Sequence, residues 1–327
     1  MDTLRWGVVS TAKIARVKVI PALHEATGNE VVAIGSRDLD AARRVASELA
    51  IPTAHGSYEA VLADDDVDAV YIPLPNHLHA EWVARAAEAG KHVLCEKPLA
   101  MTAAQAEEMV AVCAEAGVAL MEAFMYRHHP VWDRIVEIVG SGRLGALRSV
   151  HSTFSYYNDD PANIRNIAEA GGGALMDIGC YCLNASRLLL GGEPTAARSV
   201  IVTDPDLGVD TTTSAALAFG EATATFTVSS RAKADQHLEV SGTEGRLAVE
   251  TPFVISAERP TLLRLHTGKA LPADAEGEVE VIAPRSPYTT MVERFAAAVR
   301  AGSAVPTPPV DGVATMRAIE AVRAGAA

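Results

Sequence analysis

Cysteine is scarce in this chain, with only Cys95, Cys113, Cys180 and Cys182 among 327 residues. So few thiols give no disulfide framework for a chain of this size, and a reduced, cytoplasmic setting is expected. No apolar run approaches the roughly 20 residues that a bilayer-spanning helix needs. Met1 leads straight into Asp2 and a strand-like segment, so no basic and apolar leader is expected either. Positive charge is also in deficit, 28 Lys and Arg against 41 Asp and Glu, a formal net charge of −13. That balance excludes a broad nucleic-acid or anionic-membrane surface, while a local basic pocket can still hold a phosphate. No internal repeat or low-complexity tract is visible. What is present is a globular composition, 49% hydrophobic and 21% charged. A chain of 327 residues exceeds one ordinary core, so two domains are expected.

The first part alternates strand and helix patterns. Leu4 to Val9 and Glu30 to Gly35 read as buried strands, with a helix from Ile14 to Thr27 between them and another from Asp38 to Leu49. Further strands are expected over Val67–Pro75, Lys91–Pro98 and Val118–Met125, separated by helices over His77–Gly90 and Thr102–Gly117. This alternation implies right-handed crossovers and a doubly wound parallel sheet, an α/β Rossmann domain over residues 1–123. Ligands on that architecture bind at the carboxyl ends of the strands. Residues 124–327 change character: a helix over Pro130–Val139, then Thr- and Val-rich strands at Ser149–Tyr157, Val200–Thr203, Thr211–Phe219, Ala222–Ser229 and Leu238–Ser241. Strands following one another without helices predict an α+β domain with a largely antiparallel open sheet. Helices over Thr289–Ala301 and Asp311–Ala324 close the chain.

The turn after the first strand, Gly7-Val8-Val9-Ser10-Thr11-Ala12, is a partial match to the dinucleotide fingerprint, with Val9 where the middle glycine belongs. The following helix start, with Ile14 in the cofactor site, would bind phosphate, and Lys13 and Arg16 sit in its first turn. The second strand ends Gly35-Ser36-Arg37. A hydroxyl and a guanidinium there suit a ribose 2′-phosphate, so NADP(H) is preferred and NAD(H) is the lesser alternative. Asp38 competes as a ribose ligand, but its place before a helix explains it as an N-cap.

Two segments carry chemistry. Cys95-Glu96-Lys97-Pro98-Leu99 ends an apolar strand, and Gly171-Gly172-Gly173-Ala174-Leu175-Met176-Asp177-Ile178-Gly179-Cys180-Tyr181 opens a helix. Asp177 and Tyr181 are four residues apart and so share a helical face. A lysine, a carboxylate and a phenol suit proton movement that accompanies a hydride. His128-His129 and Cys180-x-Cys182 lack further ligands at zinc-like spacing, so no metal is expected.

With Pro73-Leu74-Pro75-Asn76-His77-Leu78-His79, these segments resemble the Gfo/Idh/MocA oxidoreductases over nearly the whole chain. The glycine-rich run is most similar to the branch of glucose-fructose oxidoreductase, NADP-dependent D-xylose dehydrogenases and dimeric dihydrodiol dehydrogenase. The resemblance implies that Lys97 lies beside the nicotinamide and the substrate hydroxyl, with a cis bond to Pro98. It implies that Tyr181 exchanges the proton and that Asp177 orients a sugar hydroxyl or Lys97. Pro73, Leu74, Asn76, His79, Glu96 and Arg165 would contribute to the cofactor site, and Tyr126, Arg127 and Tyr157 to the substrate site. The function expected is NADP(H)-dependent hydride transfer to or from a sugar, polyol or diol, in a homodimer or homotetramer joined through the C-terminal sheet. Two other readings stay open: redox-neutral sugar chemistry on a tightly held nicotinamide, and a non-catalytic nucleotide sensor.

Overall fold

The computed structural model describes residues 3–268 and 277–326. Its first elements run β1 (Leu4–Val9), a π-helical turn (Ala15–Val19), α1 (Ile20–Glu25), β2 (Asn29–Gly35), α2 (Leu39–Glu48), β3 (Thr53–His55), α3 (Tyr58–Leu62) and β4 (Ala69–Ile72). They continue with α4 (His79–Glu88), β5 (His92–Cys95), α5 (Ala103–Glu115) and β6 (Leu120–Glu122). The six strands form one parallel sheet in the order β3-β2-β1-β4-β5-β6. β1 and β4 therefore meet where the strand order reverses, which is where an α/β sheet opens its ligand crevice. The apolar β4, Ala-Val-Tyr-Ile, is buried throughout, as a central parallel strand requires. Edge strand β3 and short helix α3 have no counterpart in the sequence reading, since Thr53-Ala54-His55 carries no apolar pattern.

The chain then forms α6 (Pro130–Gly140), β7 (Leu147–Tyr157), a π-helical turn (Leu175–Gly179), α7 (Cys180–Leu190), β8 (Ala196–Thr203), β9 (Asp210–Phe219) and β10 (Ala222–Ser229). β11 (Arg231–Gly242), β12 (Gly245–Val249), β13 (Thr261–Thr267), β14 (Glu278–Ile282), α8 (Pro287–Ala301) and α9 (Pro309–Ala324) complete it. Eight strands make the second sheet, ordered β14-β13-β12-β11-β7-β10-β9-β8. Its pairings are antiparallel except for β7 with β10, which run parallel. Among the described residues no helix is long and apolar enough to cross a membrane.

The compact units are interrupted in sequence: residues 287–316 cluster with the first part, and 126–286 with 317–326 form the second. The block drawn from residue 124 onward is thus broken by α8, whose apolar side belongs to the core under β1. Phe295 packs 5.3 Å from Trp6, and Arg300 donates to the Gly28 carbonyl at 2.6 Å. The second unit has its own aromatic core: Tyr126, Trp132, Phe154, Tyr181 and Phe253 meet at centroid distances of 4.7–6.5 Å.

His129 caps α6, accepting the Val131 N–H on Nδ1 at 3.1 Å while fully buried. Burial pushes its pKa from 6.5 down to about 4. The unfolded chain therefore takes up the proton first, so this group's stability is intact above pH 6.5 and is lost as pH falls toward 4. Unfolding free energy should drop by about 1–2 kcal/mol from this group between roughly pH 7 and 5. His129→Asn retains a capping side chain and should flatten that slope in denaturant titrations. An unchanged slope would remove His129 from the account.

Candidate functional site

Four loops leave the carboxyl ends of the parallel strands in the first unit. After β1, Ser10 takes φ 140°, a conformation a side chain rarely adopts, and its Oγ accepts the Ala12 N–H at 3.1 Å. Thr11 and Ala12 are half-buried, Lys13 is exposed and Ile14 precedes the π turn. π turns inside helices are frequent at functional sites. Gly7 is a packing glycine: a Cβ there would lie 2.6 Å from Val61 Cγ1. After β2, Ser36 is buried and Arg37 exposed. The Asp38 carboxylate is occupied, accepting the Asp40 and Ala41 N–H groups at 2.9 and 3.2 Å as the N-cap of α2. Ser36 Oγ accepts the Asp38 N–H at 3.2 Å, which leaves its hydroxyl hydrogen to donate elsewhere. Among the described residues no carboxylate pairs with Arg37. This donor set fits a 2′-phosphate.

After β4 come Pro73 and Leu74, both buried, and Asn76 in a single 3-10 turn. His79 is fully buried, its two ring nitrogens 2.8 Å from the Leu74 carbonyl and 3.0 Å from that of Pro98. It lies between the loop after β4 and the loop after β5, and burial lowers its pKa, so the neutral ring donates to one of the two carbonyls at a time. In that fourth loop the Lys97–Pro98 bond is cis. Glu96 accepts the hydroxyl of buried Tyr71 at 2.7 Å, and Leu99 N–H donates to Glu122 at 2.7 Å. Tyr288, from the start of α8, stands beside Glu96, and burial together with that carboxylate keeps its phenol protonated. The backbone around Lys97 is pinned on both sides.

In the second unit, Asp177 sits in the π turn and Tyr181 one turn on in α7, so the helix opens with a wider turn than the spacing predicted. Asp210 caps this turn, accepting the Leu175 N–H at 2.7 Å and the Thr213 hydroxyl at 3.0 Å. Gly173 is required there, with φ 108° and a Cβ that would fall on the Asp210 carboxylate. Asp177 Oδ2 accepts from Tyr156 OH at 2.7 Å and from Arg165 Nε at 2.9 Å. Burial and the adjacent carboxylate raise the Tyr156 pKa, so it remains a donor. Tyr181 is walled by Tyr126, Phe154 and Phe253 at 5.5–5.6 Å.

The structure brings Arg165 to Asp177, and places Tyr156 there rather than Tyr157. Tyr157 is exposed and bonds Asp159 at 3.1 Å, because successive strand residues face opposite sides. Tyr126 is fully buried and donates to Asn184 Oδ1, which Arg127 also reaches at 3.3 Å. Asn184 and Asp210 carry no motif that marks them in the sequence. Among the described residues no group of three or more His, Cys, Asp or Glu side chains could hold a metal.

Residues 4–124 match the oxidoreductase family with an NAD-binding Rossmann fold, and residues 132–248 match the GFO/IDH/MocA C-terminal domain. A D-xylose 1-dehydrogenase (NADP(+)) from Haloferax volcanii is 44% identical over 98% of this chain and 96% of its own length. Among solved structures, KijD10, a 3-ketoreductase from Actinomadura kijaniata in complex with NADP and TDP-benzene, superposes with TM-score 0.90. That alignment is 35% identical and covers 99% of this chain and 98% of KijD10. An aldose-aldose oxidoreductase from Caulobacter crescentus gives TM-score 0.89 at 28% identity, covering 99% of this chain and 97% of its own. The chain belongs to the Gfo/Idh/MocA oxidoreductase family.

Proposed function

We propose that this protein is an NADP(H)-dependent oxidoreductase moving a hydride between the nicotinamide and a carbon of a sugar or related polyol, as an aldose dehydrogenase or ketosugar reductase. The observation that carries the reading is the Asp177 carboxylate, fixed by Tyr156 and Arg165 one turn before Tyr181. An oriented carboxylate takes sugar hydroxyls as donors, and a phenol in an aromatic wall exchanges a proton with the reacting oxygen. Relatives named for NADP-dependent xylose oxidation and sugar keto-reduction support it.

Ser36 and Arg37 would hold the 2′-phosphate, and the Ser10–Ile14 turn the pyrophosphate. The loops of Pro73–Asn76 and Glu96–Lys97 would hold the nicotinamide half. The chemistry a bound nicotinamide supplies is a two-electron hydride acceptor or donor. On this reading Tyr181 exchanges the proton, Lys97 serves the nicotinamide side, and Asp177 orients the substrate. In this division of labour the first unit carries the cofactor, and the second, 126–286 with 317–326, binds substrate and joins subunits. All four cysteines are free thiols, which supports a reduced, cytoplasmic setting.

The reading is tested by following NADP+ and NAD+ reduction against aldoses, inositols and dihydrodiols. Reduction of NADP+ by an aldose is the expected result, and silence across the panel with no NADP+ binding overturns it. The aldose-aldose oxidoreductase likeness favours a second reading, redox-neutral chemistry, which NADP(H) co-purifying with the protein would support. The second sheet exposes Val200 and Val202 on β8 and Val279 and Val281 on β14, which supports assembly through that sheet. Light scattering should report a dimer or tetramer; a monomer at working concentration would exclude it.

A further inference from the structure

Arg231 is the first residue of β11, paired in register with Tyr157 of β7. Its guanidinium turns onto the loop that follows β7. Nη1 donates to the Asn158 carbonyl and to Ser230 Oγ, and Nη1 and Nη2 reach Asn166 Oδ1 at 3.3 and 3.2 Å. Asp204 Oδ2 lies 3.6 Å away and balances the charge. Asn166 is 2% exposed, and its Nδ2 donates to the Asp160 carbonyl at 2.8 Å and the Asn158 carbonyl at 3.3 Å. One guanidinium and one buried amide therefore close both ends of the segment 158–166.

The neighbour of Asn166 is Arg165, whose Nε donates to Asp177 Oδ2 at 2.9 Å. The Arg165 carbonyl accepts the Gly173 N–H at 2.8 Å, and a Cβ on Gly172 would stand 2.5 Å from that carbonyl oxygen. The backbone of Arg165 is thus seated from both directions. The contacts run without a break from Arg231 through Asn166 and Arg165 to Asp177.

We propose that Arg231 is a positioning residue for substrate binding: by closing the 158–166 segment it seats Arg165 and so fixes the Asp177 carboxylate. The proposal rests on the reading of Asp177 as a sugar ligand. A planar fork reaching several oxygens at once makes arginine the residue for this task, and lysine an incomplete substitute. Misplacing a substrate-orienting group by about 1 Å costs up to roughly 10²-fold.

The test uses the full-length protein with Arg231→Met and Arg231→Lys, each alone and combined with Arg165→Met. Expected for Arg231→Met is an aldose KM raised about tenfold or more with a smaller change in kcat. Arg231→Lys should fall between it and wild type. In the Arg165→Met background, Arg231→Met should add little further, because the two act through one contact. Full additivity, or an unchanged KM, overturns the proposal. Amide hydrogen exchange separates it from the substrate assignment: faster exchange over 158–173 in Arg231→Met, with the first unit unaltered, supports the clasp even if no aldose is turned over. Unchanged exchange there overturns it. If the methionine variant does not fold, the lysine variant carries the same measurements.

Discussion

Lys97→Met and Tyr181→Phe should each lower kcat by about 10²-fold or more, the scale of lost acid–base assistance. The structure makes both substitutions clean. The Lys97 backbone is held by its neighbours, Glu96 on Tyr71 and Leu99 on Glu122, so removing the ammonium leaves the loop in place. Phenylalanine at 181 keeps the ring contacts with Phe154, Phe253 and Tyr126 and deletes only the hydroxyl. Thermal midpoints should therefore stay near wild type while turnover falls. Full turnover in either variant removes that residue from the mechanism.

Arg37→Ala should raise the NADP+ Kd by roughly 10- to 150-fold, about 1.5–3 kcal/mol, the worth of a hydrogen bond to a charged group. NAD+ has no phosphate at that position, so its Kd should move by less than about twofold. The expectation follows from the Asp38 cap as much as from Arg37. With Oδ1 committed to the Asp40 and Ala41 N–H groups, Asp38 is oriented as the α2 cap, and only Oδ2 remains to accept from a ribose. Isothermal titration with both dinucleotides checks it, and equal losses for the two would sink the assignment.

The parallel sheet was legible because buried strands such as Ala69–Ile72 are apolar runs and their helices carry cap residues such as Asp38 and Thr102. β11 was only half legible. Its first residues, Arg-Ala-Lys-Ala-Asp-Gln-His, are polar, yet they lie in a central strand because β7 and β12 flank it. Pairing of that kind is long-range and leaves no local pattern. The two π turns read as ordinary helix, since one extra residue per turn barely alters apolar periodicity. Asp177 and Tyr181 were legible from their spacing as residues one helical turn apart. Two adjacent tyrosines cannot reveal from sequence which of them faces Asp177, and in the structure it is Tyr156. Asp210 caps a turn 35 residues away, and nothing near it in sequence announces the contact. The same holds for α8, whose packing on Trp6 spans almost the whole chain.

The central claim is direct hydride transfer from a sugar carbon to a nicotinamide, and an aldose deuterated at C1 tests it most directly. Mass spectrometry of the NADPH formed with wild-type protein should show one deuterium carried on the nicotinamide ring, with the label absent from solvent. Turnover that leaves the ring unlabelled would contradict the account.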